Sequence, residues 1–148
     1  MGGVIWDVQD PVGRAIFHGL LVVGLLIVLV ATFLINHFDL FGLRQVWLYL
    51  RGEPYTAPSF NTPGPYKMVR HPLYVGWFIV FWATPTMTIA HLVFAIGMTL
   101  YILAAIPFEE RDLEDHYGEA YANYRRAVPM FIPLRRSVRP KATRRGEV

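Results

Sequence analysis

The chain has 148 residues, a formal net charge of +3 and no cysteine, and 54% of its residues are hydrophobic. The length is enough for one domain, and the hydrophobic share is well above that of a typical soluble protein. The lack of cysteine excludes disulfides, zinc–thiolate sites and cysteine nucleophiles.

An apolar run at residues 15–35 is the first predicted element, and its only polar side chains are His18 and Thr32. The run is as long as the roughly 20 residues that a helix needs to cross a bilayer core. A signal peptide would have a shorter apolar core and a small-residue cleavage site. We therefore predict a transmembrane helix over residues 14–36, with His18 near the interface.

Apolar side chains recur at helical spacing in residues 38–51, with Arg44, Gln45 and Arg51 between them. This pattern predicts an amphipathic helix that lies in the membrane interface. A cluster of prolines and glycines in residues 52–65 then predicts an ordered, extended loop next to a site.

A compact motif follows, reading Gly64-Pro65-Tyr66-Lys67-Met68-Val69-Arg70-His71-Pro72-Leu73-Tyr74-Val75-Gly76. Proline suits the first turn of a helix because its missing N–H would be unpaired there anyway. Arg70, His71 and Tyr74 are therefore expected at the start of a helix, at the edge of an apolar layer. Free N–H groups at this helix start would favour an anionic group. Simple anchoring of Arg and His at a membrane surface is the alternative.

Residues 72–107 are predicted to form a helical hairpin that is split at Thr84-Pro85-Thr86. The first arm, residues 72–83, would be only about 18 Å long. It would tilt, penetrate partly, or continue into the second arm as a broken helix. The second arm, residues 87–107, is long enough to span.

A polar helix is predicted over residues 109–126. Leu113, Tyr117, Tyr121 and Tyr124 are three or four positions apart, which gives the helix one aromatic face. Gly118 interrupts this helix at a cost of about 1 kcal/mol relative to alanine.

Glu109 and Glu110 stand at the end of an apolar helix, where carboxylates oppose the helix dipole and are costly at a bilayer edge. Such a position suggests a binding role, because a carboxylate accepts hydrogen bonds from hydroxyls or pairs with an ammonium. An interfacial ion pair with Arg111 or Arg70 is an equally good explanation from the residues alone.

Basic residues are distributed unevenly, and all except Arg14 fall in residues 44–70 or 111–145. The positive-inside rule therefore places both regions in the cytoplasm. Residues 134–148 form a basic tail, which is expected to bind anionic lipid headgroups rather than nucleic acid.

Two blocks of the sequence resemble a known superfamily. The first is the motif at residues 64–76, and the second comprises Glu109-Glu110-Arg111-Asp112-Leu113, Tyr117-Gly118, Tyr121, Tyr124 and Val128-Pro129 to Pro133. Together they are similar to the integral-membrane methyltransferases of the isoprenylcysteine carboxyl methyltransferase and phospholipid methyltransferase group. Residues 32–47 resemble the branch that contains methanethiol S-methyltransferases.

The resemblance implies an all-α, polytopic transmembrane protein with one spanning helix, a helical hairpin and interfacial helices. It also implies S-adenosylmethionine as cofactor and no metal. Together with the distribution of basic residues, it predicts a site that faces the cytoplasm of a bacterial inner membrane. The residues that it assigns to cofactor binding are Tyr66, Arg70, His71, Pro72, Glu109 and Glu110.

Catalysis is assigned to His71 and Tyr74. A thiol must lose its proton before it attacks, and His71 is a candidate base because imidazole titrates near neutrality. Tyr74 is a weaker candidate. The expected acceptor is a small thiol such as methanethiol. A prenylcysteine carboxylate or a phospholipid amine is the alternative within enzymes, and a non-catalytic scaffold, truncated or oligomeric, is the alternative outside them.

Overall fold

Helices dominate the part of the chain that the computed structural model describes, which is residues 3–34, 42–54 and 60–133. The helices are α1 (Pro11–Leu34), α2 (Leu43–Arg51), α3 (Pro72–Trp82), α4 (Ile89–Tyr117) and α5 (Glu119–Ala127), and a 3₁₀ helix at Gly64–Lys67 precedes α3. Among these, α1 and α4 are long and apolar enough to cross a membrane, and α3 is shorter.

Helix α1 begins three residues before the predicted bound of residue 14. The Asp10 carboxylate accepts a hydrogen bond from the Gly13 backbone N–H at 2.7 Å, and Pro11 occupies the first helical position. Both are ordinary signals for a helix start. Arg14 is therefore inside the helix, where its Nη1 donates to the Val8 carbonyl at 3.2 Å. The predicted end at residue 36 lies outside the described residues.

A two-stranded antiparallel sheet corrects the all-α prediction. Strand β1 (Val4–Asp7) pairs with β2 (Thr86–Thr88), so that Asp7 lies opposite Thr86. The Trp6 indole N–H also donates to the Thr84 carbonyl at 3.1 Å. Thr86 and Thr88 are β-branched residues that suit a strand. The sheet attaches the start of the chain to the turn between α3 and α4.

Helix α3 packs against α1 where two glycines meet. A Cβ atom on Gly76 would lie 2.9 Å from the Gly24 carbonyl oxygen, and one on Gly24 would lie 3.1 Å from the Gly76 oxygen. Small residues of this kind allow close helix packing in membranes, where lipid tails provide no hydrophobic drive between helices. The short arm of the hairpin is therefore a separate helix, and it lies along α1.

Helix α4 corrects the prediction of separate helices over residues 87–107 and 109–126. It continues through Pro107 to Tyr117, and the break falls instead at Gly118, which has a φ of +58°. A left-handed φ of this kind favours glycine because it has no Cβ. The predicted hairpin bound at residue 107 is thus inside a helix, and α5 supplies the rest of the polar segment.

Helix α2 begins at Leu43, after Gly42 in the left-handed conformation, whereas the sequence predicts a start at residue 38. Residues 38–41 lie outside the described residues. Trp47 and Leu50 are exposed, as expected for the apolar side chains of an interfacial helix. The basic tail at residues 134–148 also lies outside the described residues.

Candidate functional site

A buried carboxylate links the two motif blocks. Glu110 is 4% exposed, and its Oε1 accepts a hydrogen bond from Arg70 Nε at 2.8 Å and lies 3.0 Å from His71 Nε2. Its other oxygen, Oε2, lies 3.3 Å from Arg125 Nε of α5. A buried carboxylate is tolerated only when it is paired and hydrogen-bonded in this way. The structure therefore explains Glu110 by contacts within the protein.

The local fold positions these groups. Proline at the first position of α3 leaves His71 as the residue that precedes the helix, and the turn at Ala83–Pro85 sends the chain back along α4. The C-terminal part of α4 then lies beside the start of α3, which brings Glu109 and Glu110 to His71. The ends of a hairpin lie together, so this meeting follows from the predicted topology.

Arg70 holds the segment after α5 in place. Its Nη1 donates to the carbonyls of Arg125 at 2.9 Å and Val128 at 2.7 Å. The backbone N–H groups of Arg70 and His71 donate to the carbonyls of Pro129 and Met130, at 2.9 and 3.2 Å. Arg70 Nε, Arg70 Nη1 and the backbone N–H groups of Arg70 and His71 are thus engaged inside the protein.

Glu109 faces the surface, in contrast to Glu110. Its side chain is 44% exposed, and its Oε2 accepts a hydrogen bond from the Tyr74 hydroxyl at 2.7 Å and lies 3.9 Å from His71 Nδ1. The Tyr74 ring stacks on the His71 ring at a centroid distance of 5.4 Å. Because a carboxylate has about four lone-pair sites, Glu109 keeps acceptor capacity for a ligand.

An open cavity of about 560 Å³ extends from Glu109 along the C-terminal part of α4. The residues that line it are Glu109, Asp112, Leu113, His116 and Tyr117. Two carboxylates in this lining favour a cationic or hydroxyl-bearing ligand.

Tyrosines of α5 close the site on its other side. The Tyr124 hydroxyl donates to the Tyr66 carbonyl at 2.6 Å, and the Phe60 ring contacts the rings of Tyr117, Tyr121 and Tyr124. The hydroxyls of Tyr66 and Tyr121 are buried and have no hydrogen-bond partner among the described residues. The aromatic face predicted for one helix is thus shared by the end of α4 and by α5, on the two sides of Gly118.

A second cavity, of about 480 Å³, is apolar and adjoins the polar cluster. The residues that line it are Val23, Leu26, Ile27, Val30, Pro65, Met68, Val69, Pro72, Val75, Phe131 and Pro133. Phe131 connects the two regions, because its ring centroid is also 6.3 Å from that of His71. Pro72, predicted to bind cofactor, lies on this apolar side.

Five of the predicted site residues form one cluster: Arg70, His71, Tyr74, Glu109 and Glu110. Tyr66 adjoins them through Tyr124. Sequence reasoning missed Arg125 and the hydroxyl of Tyr121. Their spacing of four residues on α5 was the available signal, since it places both on one helix face. No group of three or more metal-ligating side chains occurs within residues 3–34, 42–54 and 60–133.

Comparison with known proteins gives one family. Residues 12–120 match the model of the phospholipid methyltransferase family. A methanethiol S-methyltransferase of Crocosphaera subtropica is 61% identical over 134 residues, which cover 90% of this chain and 52% of that protein. The corresponding protein of Mycobacterium tuberculosis is 53% identical over 133 residues, covering 90% of this chain and 54% of that protein.

More distant similarity extends to a protein-S-isoprenylcysteine O-methyltransferase of Schizosaccharomyces pombe, 38% identical over 78 residues, which are 49% of this chain and 32% of that protein. No solved structure matches the chain. The chain spans about half the length of the curated methanethiol S-methyltransferases that it matches. Its family match and its two membrane-length helices identify an integral membrane protein that belongs to the phospholipid methyltransferase family.

Proposed function

We propose that this chain carries the site of an S-adenosylmethionine-dependent methyltransferase that methylates a small thiol, converting methanethiol to dimethyl sulfide. The observation that carries the proposal is the position of the cluster of Glu109, His71 and Tyr74. It lies between a cavity with carboxylates in its wall and an apolar cavity. The names and identities of the relatives support the thiol as acceptor.

The residues present fit the proposed cofactor. A half-exposed carboxylate at Glu109 suits an ammonium or a ribose hydroxyl, and the unpaired hydroxyl of Tyr66 suits a further polar contact. The cofactor would supply a methyl group on a positively charged sulfur. Glu109, Tyr66 and the residues that line the open cavity would bind it. Pro72 and Arg70 would position these residues.

His71 is the proposed proton acceptor. A carboxylate only accepts hydrogen bonds, so the short contact with Glu110 assigns the proton to His71 Nε2. In the neutral imidazole the other nitrogen, Nδ1, carries no proton and can accept one from a thiol. Tyr74 donates to Glu109 and stacks on the His71 ring, so its proposed role is to position both groups.

The apolar cavity supports a second candidate acceptor. A cavity of about 480 Å³ is much larger than methanethiol, and its lining suits a lipid chain. A prenylcysteine carboxylate or a phospholipid amine is therefore the alternative substrate. Both candidates use the same cofactor site and differ only in what fills the apolar side.

An acceptor comparison tests this proposal. The purified chain in detergent is given S-adenosylmethionine labelled on its methyl group, together with methanethiol, a prenylcysteine or a phosphatidylethanolamine. We expect label in dimethyl sulfide, and a variant such as Gly97→Ala should behave like wild type because a Cβ there meets nothing within 4 Å. Label in the prenylcysteine or the lipid, with none in the thiol, would favour the alternative.

Orientation is part of the proposal. The basic residues in 44–70 and 111–145 support a cytoplasmic site, and the basic tail would bind anionic headgroups of the bacterial inner membrane. The chain has no cysteine, so Ser137→Cys introduces a single label position. We expect it to be protected from an impermeant thiol reagent added to intact cells and to be labelled after lysis. Labelling in intact cells would reverse the orientation.

A further inference from the structure

The hydroxyl of Tyr121 is one of the buried polar groups that contacts among the described residues leave unexplained. Tyr121 is 1% exposed, and its hydroxyl has no hydrogen-bond partner within the described parts of the chain. Buried hydroxyls are nearly always paired, because an unpaired one loses its bonds to water without compensation. A phenylalanine would fill the same position without this loss.

The position of Tyr121 on α5 directs it toward the carboxylate pair. Arg125 is four residues later on the same helix face, and its Nε lies 3.3 Å from Glu110 Oε2. The Tyr121 ring also contacts Phe60 and Tyr124, whose hydroxyl bonds to the Tyr66 backbone. Tyr121 and Tyr66 therefore both adjoin Tyr124, and Tyr121 shares a helix face with Arg125, which contacts Glu110.

Burial and nearby charges affect the pKa of the hydroxyls of Tyr66 and Tyr121. Burial raises the pKa of Tyr66, and the carboxylate of Glu109 raises it further. Burial also raises the pKa of Tyr121, and the carboxylates of Glu110 and Glu109 raise it further, against the lowering effect of Arg70. Both hydroxyls therefore stay neutral at physiological pH, each with one donor hydrogen and free lone pairs.

We propose that Tyr121 is a ligand-binding residue whose hydroxyl oxygen, with that of Tyr66 and the carboxylate of Glu109, holds the ammonium group at the amino-acid end of the cofactor. The inference rests on the proposed function and assigns one part of its cofactor to one set of atoms. An ammonium has three donors and no acceptor, so it can bond to two neutral phenol oxygens and one carboxylate at once. Glu110 cannot take this role, because Arg70, His71 and Arg125 already contact it.

The test is isothermal titration of the full 148-residue chain in detergent with two probes. One probe is S-adenosylhomocysteine, and the other is the same molecule with its amine replaced by hydrogen. We expect Tyr121→Phe to weaken binding of the first about three- to tenfold, the effect of one hydrogen bond. Binding of the second probe should not change. Tyr66→Phe should give the same pattern.

Thermal unfolding of the ligand-free protein provides a second readout. Tyr121→Phe removes an unpaired hydroxyl, so its melting temperature should equal or exceed that of wild type. The matched control is Tyr124→Phe, which removes a hydroxyl that bonds within the protein and should lower the melting temperature. A fall in melting temperature for Tyr121→Phe as well would show that its hydroxyl is paired inside the protein, and would overturn the proposal.

The titration separates failure of this inference from failure of the proposed function. Wild-type binding of S-adenosylhomocysteine that Tyr121→Phe leaves unchanged would overturn the inference and leave a buried water as the partner. Equal losses for both probes would place the hydroxyl on another part of the cofactor and would also overturn it. If wild type binds neither probe, the proposed function fails, and the inference fails with it.

Discussion

Replacing Glu110 with glutamine should reduce the free energy of unfolding by about 3–5 kcal/mol, the range for breaking a buried ion pair. Glutamine keeps the size of the side chain but leaves Arg70, which is only 8% exposed as a side chain, without its charged partner. Arg125 also loses a charged contact, because the amide nitrogen that replaces the second oxygen only donates. Thermal and denaturant unfolding of the purified chain in detergent measures the loss.

Glu114→Gln is the matched control for this change. Glu114 also pairs with Arg125, at 2.8 Å, but the two side chains are 43% and 48% exposed. Exposed pairs contribute about 0–1 kcal/mol because water and salt screen them. A comparable loss in both variants would contradict the assignment of Glu110 as the structural carboxylate of the pair.

Replacing Glu109 with glutamine should have the opposite profile, with weak cofactor binding and nearly normal stability. Loss of a charge-assisted hydrogen bond costs about 1.5–3 kcal/mol, which corresponds to roughly a ten- to over a hundredfold loss of affinity. Stability should change little because the Glu109 side chain is 44% exposed. Titration with S-adenosylhomocysteine, together with a melting curve, measures both quantities.

The comparison between adjacent residues makes this prediction specific. Glu109 and Glu110 are neighbours in sequence, yet one faces a cavity and the other lies under Arg70. If Glu109→Gln bound the ligand normally and Glu110→Gln lost binding without losing stability, the roles would be reversed.

The sequence predicted the elements that depend on local signals. The apolar run of α1, the proline start of α3 at Pro72 and the break after Trp82 each follow from composition over a few residues. The meeting of His71 with Glu110 also followed, because a hairpin returns the chain to the side on which it began.

Features that depend on contacts between distant segments were not predictable in this way. The pairing of β1 with β2 joins residues at opposite ends of the first 88 positions. Val4 is a residue type that suits a strand, but no local pattern identifies its partner. The different surroundings of Glu109 and Glu110 depend on the rotation of α4 relative to α3, which the sequence pattern does not define. The same holds for Arg70, whose donors turn inward to the carbonyls of Arg125 and Val128.

Helix α4 also continues past the boundary that the sequence predicted. A proline inside a helix usually breaks or kinks it, yet α4 continues through Pro107. The structure places the boundary at Gly118 instead, where the left-handed φ ends the helix. This shift extends α4 past Glu109 and Glu110 and presents both of them from within one rigid helix.

A titration of the wild-type protein with S-adenosylhomocysteine shows whether the two motif blocks form a single cofactor site in this chain. We expect saturable binding at one site per chain, weakened by Glu109→Gln and unchanged by Glu114→Gln. Absence of saturable binding by a well-folded wild-type chain would contradict it. The motif residues would then be structural anchors, and a non-catalytic membrane scaffold would be the better description.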